Sequence, residues 1–185
     1  MKPCLRILAC LCFSTAVFAT VAFATQIVYM SPQDLGQQSE LVFRGRVLSV
    51  DSYWNARHTK IFTRTRLGVD ETYKGTGQST VDVIQLGGIV GNVKVTVQGA
   101  LQWKPGEEVL LFVEPYDALT YQVSGLSQGK FGIKRDLRTG AAYVQAPPME
   151  GLTVLGTPSP QGQVRTQALE RVPLERFVNQ ALGRR

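Results

Sequence analysis

From Lys60 to Lys74 the chain alternates. Ile61, Thr63, Thr65, Leu67, Val69 and Tyr73 fall on one parity, and Phe62, Arg64, Arg66, Asp70 and Lys74 on the other. A period of two describes a strand with one buried and one wet face. A strand this long must bend to stay on one core, and Gly68 is where a bend costs least. Upstream, Leu41, Phe43, Gly45 and Val47 share a parity from which Arg44 and Arg46 turn away. Beyond Val47 the apolar parity moves to Leu48 and Val50, as it does across a β-bulge or at a strand end buried on both sides. Between the two strands, Asp51 to Thr59 reads as a hairpin loop of roughly eight residues carrying Trp54, Asn55 and His58. Thr80 to Leu86, Val93 to Val97, Tyr121 to Val123 and Gln128 to Ile133 give shorter strands. Val109 to Val113 is apolar at every position, the pattern of a strand buried on both faces.

Two short helices flank these strands. Ser31 is a helix cap with Pro32 at the first helical position, and that helix ends near Gln38. Beyond Ala146, Pro147, Pro148, Pro158 and Pro160 alternate with Gly151, Gly156 and Gly162 in a linker or extended strap. Leu174, Phe177, Val178 and Ala181 then recur at i, i+3, i+4 and i+7 behind Pro173. A helix this short must dock to be stable, either on its own chain or on a partner protein.

The first 24 residues read as an address. Lys2 and Arg6 precede a mostly apolar run from Leu5 to Phe23, and Ala22-Phe23-Ala24 has the small-x-small form of a secretory cleavage site. A membrane anchor is the rival reading, and a lipoprotein would need Cys10 or Cys12, which lie inside the apolar run. Cleavage after Ala24 removes all three cysteines, Cys4, Cys10 and Cys12. The expected product is secreted or periplasmic, keeps no stable transmembrane span and has neither disulfides nor thiolate-held metal. Removing Lys2 and Arg6 takes two from the formal charge of +6, leaving a mildly basic protein.

These elements predict an all-β fold with short flanking helices: residues 25–145 form a small closed antiparallel OB-like barrel, and residues 146–185 a strap and C-terminal helix. Closure disposes of sheet edges, and the long 60–74 strand favours it over the rival open β-sandwich. The stretch Ser39 to Val50, with Glu71-Thr72-Tyr73-Lys74-Gly75 closing the next strand, resembles the opening of the netrin-like modules of tissue inhibitors of metalloproteinases, complement proteins and netrins. A nearer resemblance is to small exported bacterial proteins of uncharacterised role. It rests on Gly87-Gly88, Trp103-Lys104-Pro105-Gly106-Glu107-Glu108-Val109-Leu110-Leu111-Phe112 and Gly125-Leu126-Ser127-Gln128-Gly129-Lys130-Phe131. The resemblance spans Glu40 to Ile133 and implies an OB-type fold and an extracytoplasmic binding role. Inhibition does not carry over, because the inhibitors present an N-terminal cysteine to the protease zinc and this chain has none there.

Catalytic chemistry is thin. His58 is the single histidine and sits between Arg57 and Lys60, which disfavour a bound cation. Adjacent Asp70 and Glu71 point to opposite faces of a strand. The cluster Gly87, Gly88 and Gly91 lacks the lysine and strand-to-helix context of a phosphate loop, so it reads as a turn or as a rim loop touching a ligand through its backbone. No cofactor or metal is expected. The directional signal is charge: Arg44, Arg46, Arg57, Lys60, Arg64 and Arg66 stand against Asp51 alone from residue 44 to 66. If the two long strands are neighbours, these cations and Trp54 form a wet face suited to an anionic surface polymer or a carboxylate-rich protein. The expectation is an exported, non-enzymatic binding module. The alternatives are an extracellular protease inhibitor or accessory factor using Met30, Ser31 and Pro32, and a hydrolase pairing His58 with a carboxylate such as Asp51. Nucleic acid is a poor partner for an exported chain.

Overall fold

The computed structural model describes residues 25–146, 152–155 and 172–184. The expected signal and its cleavage after Ala24 fall outside the described residues, as does most of the stretch expected to form a Pro/Gly strap. In chain order the elements are β1 (Thr25–Val28), α1 (Pro32–Gln38), β2 (Leu41–Trp54), β3 (Ile61–Lys74), β4 (Thr80–Leu86), β5 (Gly88–Val90), β6 (Val93–Val95), β7 (Glu108–Pro115), β8 (Tyr121–Val123), β9 (Lys130–Arg135), β10 (Ala142–Gln145), β11 (Leu152–Leu155), β12 (Val172–Pro173) and α2 (Leu174–Ala181). The fold is mostly β, with two short helices among the described residues.

The main sheet runs β12-β10-β9-β7-β2-β3-β4-β8, and β8 also pairs with β7. Pairings therefore trace a circuit through β2, β3, β4, β8, β7 and back to β2. The sheet is mixed, which corrects the expectation of antiparallel pairing throughout: β4 and β8 are parallel neighbours joined at Val83 and Tyr121. Parity explains it. Five strands in a circuit cannot alternate direction all the way round, so one adjacent pair must run the same way. Two smaller pairings complete the fold, β1 with β11 in parallel and β5 with β6 as a hairpin.

The β2–β3 ribbon is coiled by three register slips. One of them leaves Leu48 unpaired between Val47 and Ser49, so the phase change in the sequence is a bulge, and Leu48 turns outward to lie over Gly68. The other two fall near Tyr73 and Asp70, and they carry Tyr73 out of the layer that Leu67 occupies. The strand pairing also persists further than the sequence suggests. Ser52, Tyr53 and Trp54 stay paired with Thr63, Phe62 and Ile61, so the loop shrinks to 55–60.

Two cores lie on opposite faces of β7. Val109, Leu111 and Val113 join Phe43, Val47, Leu67 and Val83 on one side. Leu110 and Phe112 join Val42, Tyr73, Phe131 and both helices on the other. The second core settles where α2 docks, since Leu174, Phe177, Val178 and Ala181 are all buried against their own chain, with Phe177 4.7 Å from Phe131. Ser31 caps α1 as expected, accepting from the Asp34 amide while Asp34 accepts from the Ser31 amide.

The helices meet at Gly36, where a Cβ would run into the Ala181 carbonyl. Gly36→Ala is therefore expected to destabilise the protein by about 1–3 kcal/mol in urea unfolding. Gly132→Ala, whose Cβ would meet nothing closer than 3.9 Å, should change stability by less than about 0.5 kcal/mol.

Candidate functional site

The six sequence-flagged cations divide into two groups. Arg44 faces Glu71 across the ribbon at 3.5 Å, Arg46 reaches Glu108 at 3.9 Å, and Arg66 grips Asp82 with a two-pronged contact of 2.8 and 2.9 Å. The Arg66 hydrogen bonds hold the Asp82 carboxyl below its usual range, and Asp82 in turn raises Arg66. This part of the face is charge-compensated by acids on β3, β4 and β7. Arg57, Lys60 and Arg64 make no ion pair among the described residues, and all three are exposed.

Those three cations lie at the hairpin end of the ribbon. Tyr53 and Phe62 are paired directly across it, with ring centroids 6.3 Å apart. Tyr116, from the loop joining β7 to β8, meets the other side of Phe62 at 6.3 Å, edge-on. Arg64 lies over the Tyr53 ring at 5.2 Å, within cation–π range. Two loops from distant parts of the chain, 55–60 and 116–120, thus flank one aromatic row. The second loop is held by Asp117, whose Oδ1 accepts from the Leu119 and Thr120 amides. Those bonds keep its carboxyl below the usual range.

Trp54 stands on the opposite face of the strand from Tyr53 and stacks on His58 at 6.1 Å. His58 is exposed and held at φ 51°. Asp51 accepts from the Ser49 hydroxyl and lies three residues up the strand from Trp54, about 10 Å at strand spacing. Among the described residues no group of three or more His, Cys, Asp and Glu side chains could hold a metal ion.

Gly87 and Gly88 sit where the chain packs closely. Thr63 Oγ1 donates to the Gly87 carbonyl at 2.7 Å, and a Cβ on Gly88 would collide with the Ser52 and Thr63 hydroxyls. Gly87 and Gly88 thereby let the β5–β6 hairpin lie on the ribbon, while Gly91 forms its exposed tip at φ 56°.

The two stretches behind the nearer resemblance converge on Lys130. Its buried ammonium donates to the Gln102 carbonyl at 2.6 Å and to Glu107 at 2.9 Å, and lies 4.5 Å from the Trp103 ring centre. Burial pushes this amine below its ordinary value, an effect that Glu107 partly opposes. Gln128, two residues earlier, accepts from the Met30 amide and donates to the Val28 carbonyl. Met30, Ser31 and Pro32, the residues of the inhibitor alternative, are thus engaged in the protein's own fold.

Sequence reasoning missed Tyr53, Phe62 and Tyr116 as a group, although Phe62 on the wet parity was a readable sign of an aromatic left outside. No family model matches the chain, and no curated protein matches it. No described helix is long and apolar enough to cross a membrane.

Unfolded Lys130 keeps its proton up to about pH 10.5, whereas the folded amine releases it earlier. The unfolded state then binds the extra proton, so the wild type gains stability as pH rises through that window. Below the window the charged amine is a burden. Urea midpoints of wild type and Lys130→Met between pH 7 and 10.5 should shift steadily toward the wild type, and a constant difference would contradict this.

Proposed function

We propose that this chain is an exported, non-enzymatic binding module, an OB-like barrel that takes an anionic surface polymer on its hairpin end. The barrel reading rests on the five-strand circuit and on the short parallel seam between β4 and β8, which suits the partly open Greek-key barrel of OB folds. Such barrels use one strand face and its flanking loops to hold oligosaccharides and oligonucleotides. The ribbon face between loops 55–60 and 116–120 is the corresponding surface. Resemblance to netrin-like modules and the signal-like leader support the same class and an extracytoplasmic address.

One observation carries the reading: the row Tyr53, Phe62 and Tyr116 stands beside Arg57, Lys60 and Arg64, the cations without ion pairs among the described residues. Aromatic faces stack on flat or ring-shaped units of a polymer, and unpaired cations meet its charge. A carboxylate-rich protein would satisfy the cations but gives no specific use to three neighbouring rings.

The test is retention on immobilised sulfated and carboxylated polysaccharides, followed against salt. Reversing Arg57, Lys60 and Arg64 to Glu is expected to cut affinity at least about tenfold and flatten the salt dependence. Phe62→Ala should cost a further ~1 kcal/mol. Arg46→Ala, which removes a compensated charge, should change little. Equal losses from Arg46→Ala and the triple reversal would overturn the assignment of the site, and no retention of the wild type would overturn the choice of ligand.

A further inference from the structure

The circuit of strands is weakest between β4 and β8. They share the single pair Val83 and Tyr121 and then part, leaving Ile84, Gln85 and Leu86 on one side and Gln122 and Val123 on the other. A cleft of about 350 Å³ occupies the gap. That volume falls in the range of small-ligand sites, which are mostly apolar with a few placed polar groups. Phe62, Ile84, Val97, Leu101 and Val123 supply apolar walls. Two of the polar lining groups are engaged elsewhere: Gln85 bonds the Leu101 carbonyl and the Trp103 indole N–H, and Gln122 bonds Glu114.

The rim carries a second, independent sign. Leu86, Tyr116 and Leu126 stand 40%, 47% and 59% exposed around the opening. Leu126 is also held in the left-handed region at φ 62°. That conformation costs a residue with a Cβ about 1 kcal/mol, and Gly or Asn would adopt it more cheaply. The chain thus carries both backbone strain and solvent exposure to place a leucine at this mouth. Lys60 lines the same opening, and Arg57 and Arg64 come from the same hairpin. The single acid of the facing loop, Asp117, accepts from its own backbone amides and also feels Arg64, so Lys60 is the cation left to the opening.

We infer that this seam is a binding cleft for a single aliphatic chain with an anionic head group, the chain between β4 and β8 and the head against Lys60. The cationic mouth selects the sign of the head, and the apolar walls and rim select the chain. The inference shares Lys60, Phe62 and Tyr116 with the polymer surface, but it stands on the open seam and the strained rim, and its test uses no polymer.

Dodecanoate below its micellar range is the probe, titrated into the protein by calorimetry and followed through Trp103, whose indole bonds the Gln85 side chain of the cleft wall. Saturable one-to-one binding is expected, at least about tenfold tighter than dodecyltrimethylammonium, which has the same chain and the opposite head. Lys60→Glu should invert that preference. Leu126→Gly should raise the melting temperature while weakening dodecanoate several-fold, and should leave polysaccharide retention unchanged, so failure here is separable from failure of the polymer reading. The double variant Leu86→Asp, Leu126→Asp, checked for fold by circular dichroism, should lose binding. Equal affinity for the two head groups, binding that survives the double variant, or no binding would each overturn the inference. So would self-association of the unliganded protein that the double variant disperses, since a second copy would then be the occupant.

Discussion

Strand β7 has no wet side, and the rest of the molecule follows from that. Val109, Leu110, Leu111, Phe112 and Val113 are fully buried, so one strand demands apolar cover on both of its faces. The β2–β3–β4 ribbon curls to supply one cover, while the two helices with β9 and β10 supply the other. At about 1.5–3 kcal/mol for each large side chain removed from water, this single strand anchors both cores, an upper figure because the unfolded chain is not fully extended. Its edges are equally committed. One edge pairs with β2; the other pairs first with β9 and then with β8. The change of partner falls at Phe112, whose amide donates to the Gly129 carbonyl and whose carbonyl accepts from the Ser124 amide, both at 2.9 Å. Gly129 is required there, because a Cβ would stand 2.8 Å from the Phe112 oxygen.

The two ends of the ribbon are treated differently. At the helical end Lys74 donates to the Gly36 and Ser39 carbonyls at 2.8 and 2.6 Å, capping α1, and Arg184 donates to the Tyr73 carbonyl at 2.6 Å. Polar groups there are spent on holding elements together. At the hairpin end two residues other than glycine, His58 and Leu126, sit at positive φ, and rings and cations face outward with few partners. The bonds at this end, from Asn55 within its loop and from Asp117 within the facing one, fix the loops and leave the rings and cations between them outward, which is the physical basis of the polymer surface proposed above.

Much of the architecture was legible along the chain. Five apolar residues in a row marked β7, the i, i+3, i+4, i+7 pattern marked the buried face of α2, Ser31-Pro32 marked the start of α1, and the parity shift after Val47 left a bulge or a strand end buried on both sides, of which the pairing shows the bulge. What a window of sequence does not display is the cross-strand neighbour. Arg44, Arg46 and Arg66 read as part of one positive block because Glu71, Glu108 and Asp82 reach them only through strand pairing. Tyr53 read as a loop residue because its pairing with Phe62 outlasts the local alternation, and Tyr116 comes from more than fifty residues away. Lys130 read only as one position of the Gln128 to Ile133 strand; the approach of the 102–107 segment makes it a buried tie. The parallel seam was equally hidden, since it follows from counting strands around a circuit and not from any residue pattern.

Amide hydrogen exchange along β7 tests this account most directly. If the strand is the shared wall of both cores, the amides from Leu110 to Val113 exchange only through global unfolding, with an opening free energy equal to that from urea denaturation. In the same experiment the Ala56 and Arg57 amides exchange near the unprotected rate, while those of Asn55, His58, Thr59 and Lys60, bonded within the loop, exchange through local opening. Exchange of the β7 amides through a smaller opening, while those of α2 and β9 stay protected, would mean that the outer core stands without the strand, and would contradict the claim that β7 holds the two together.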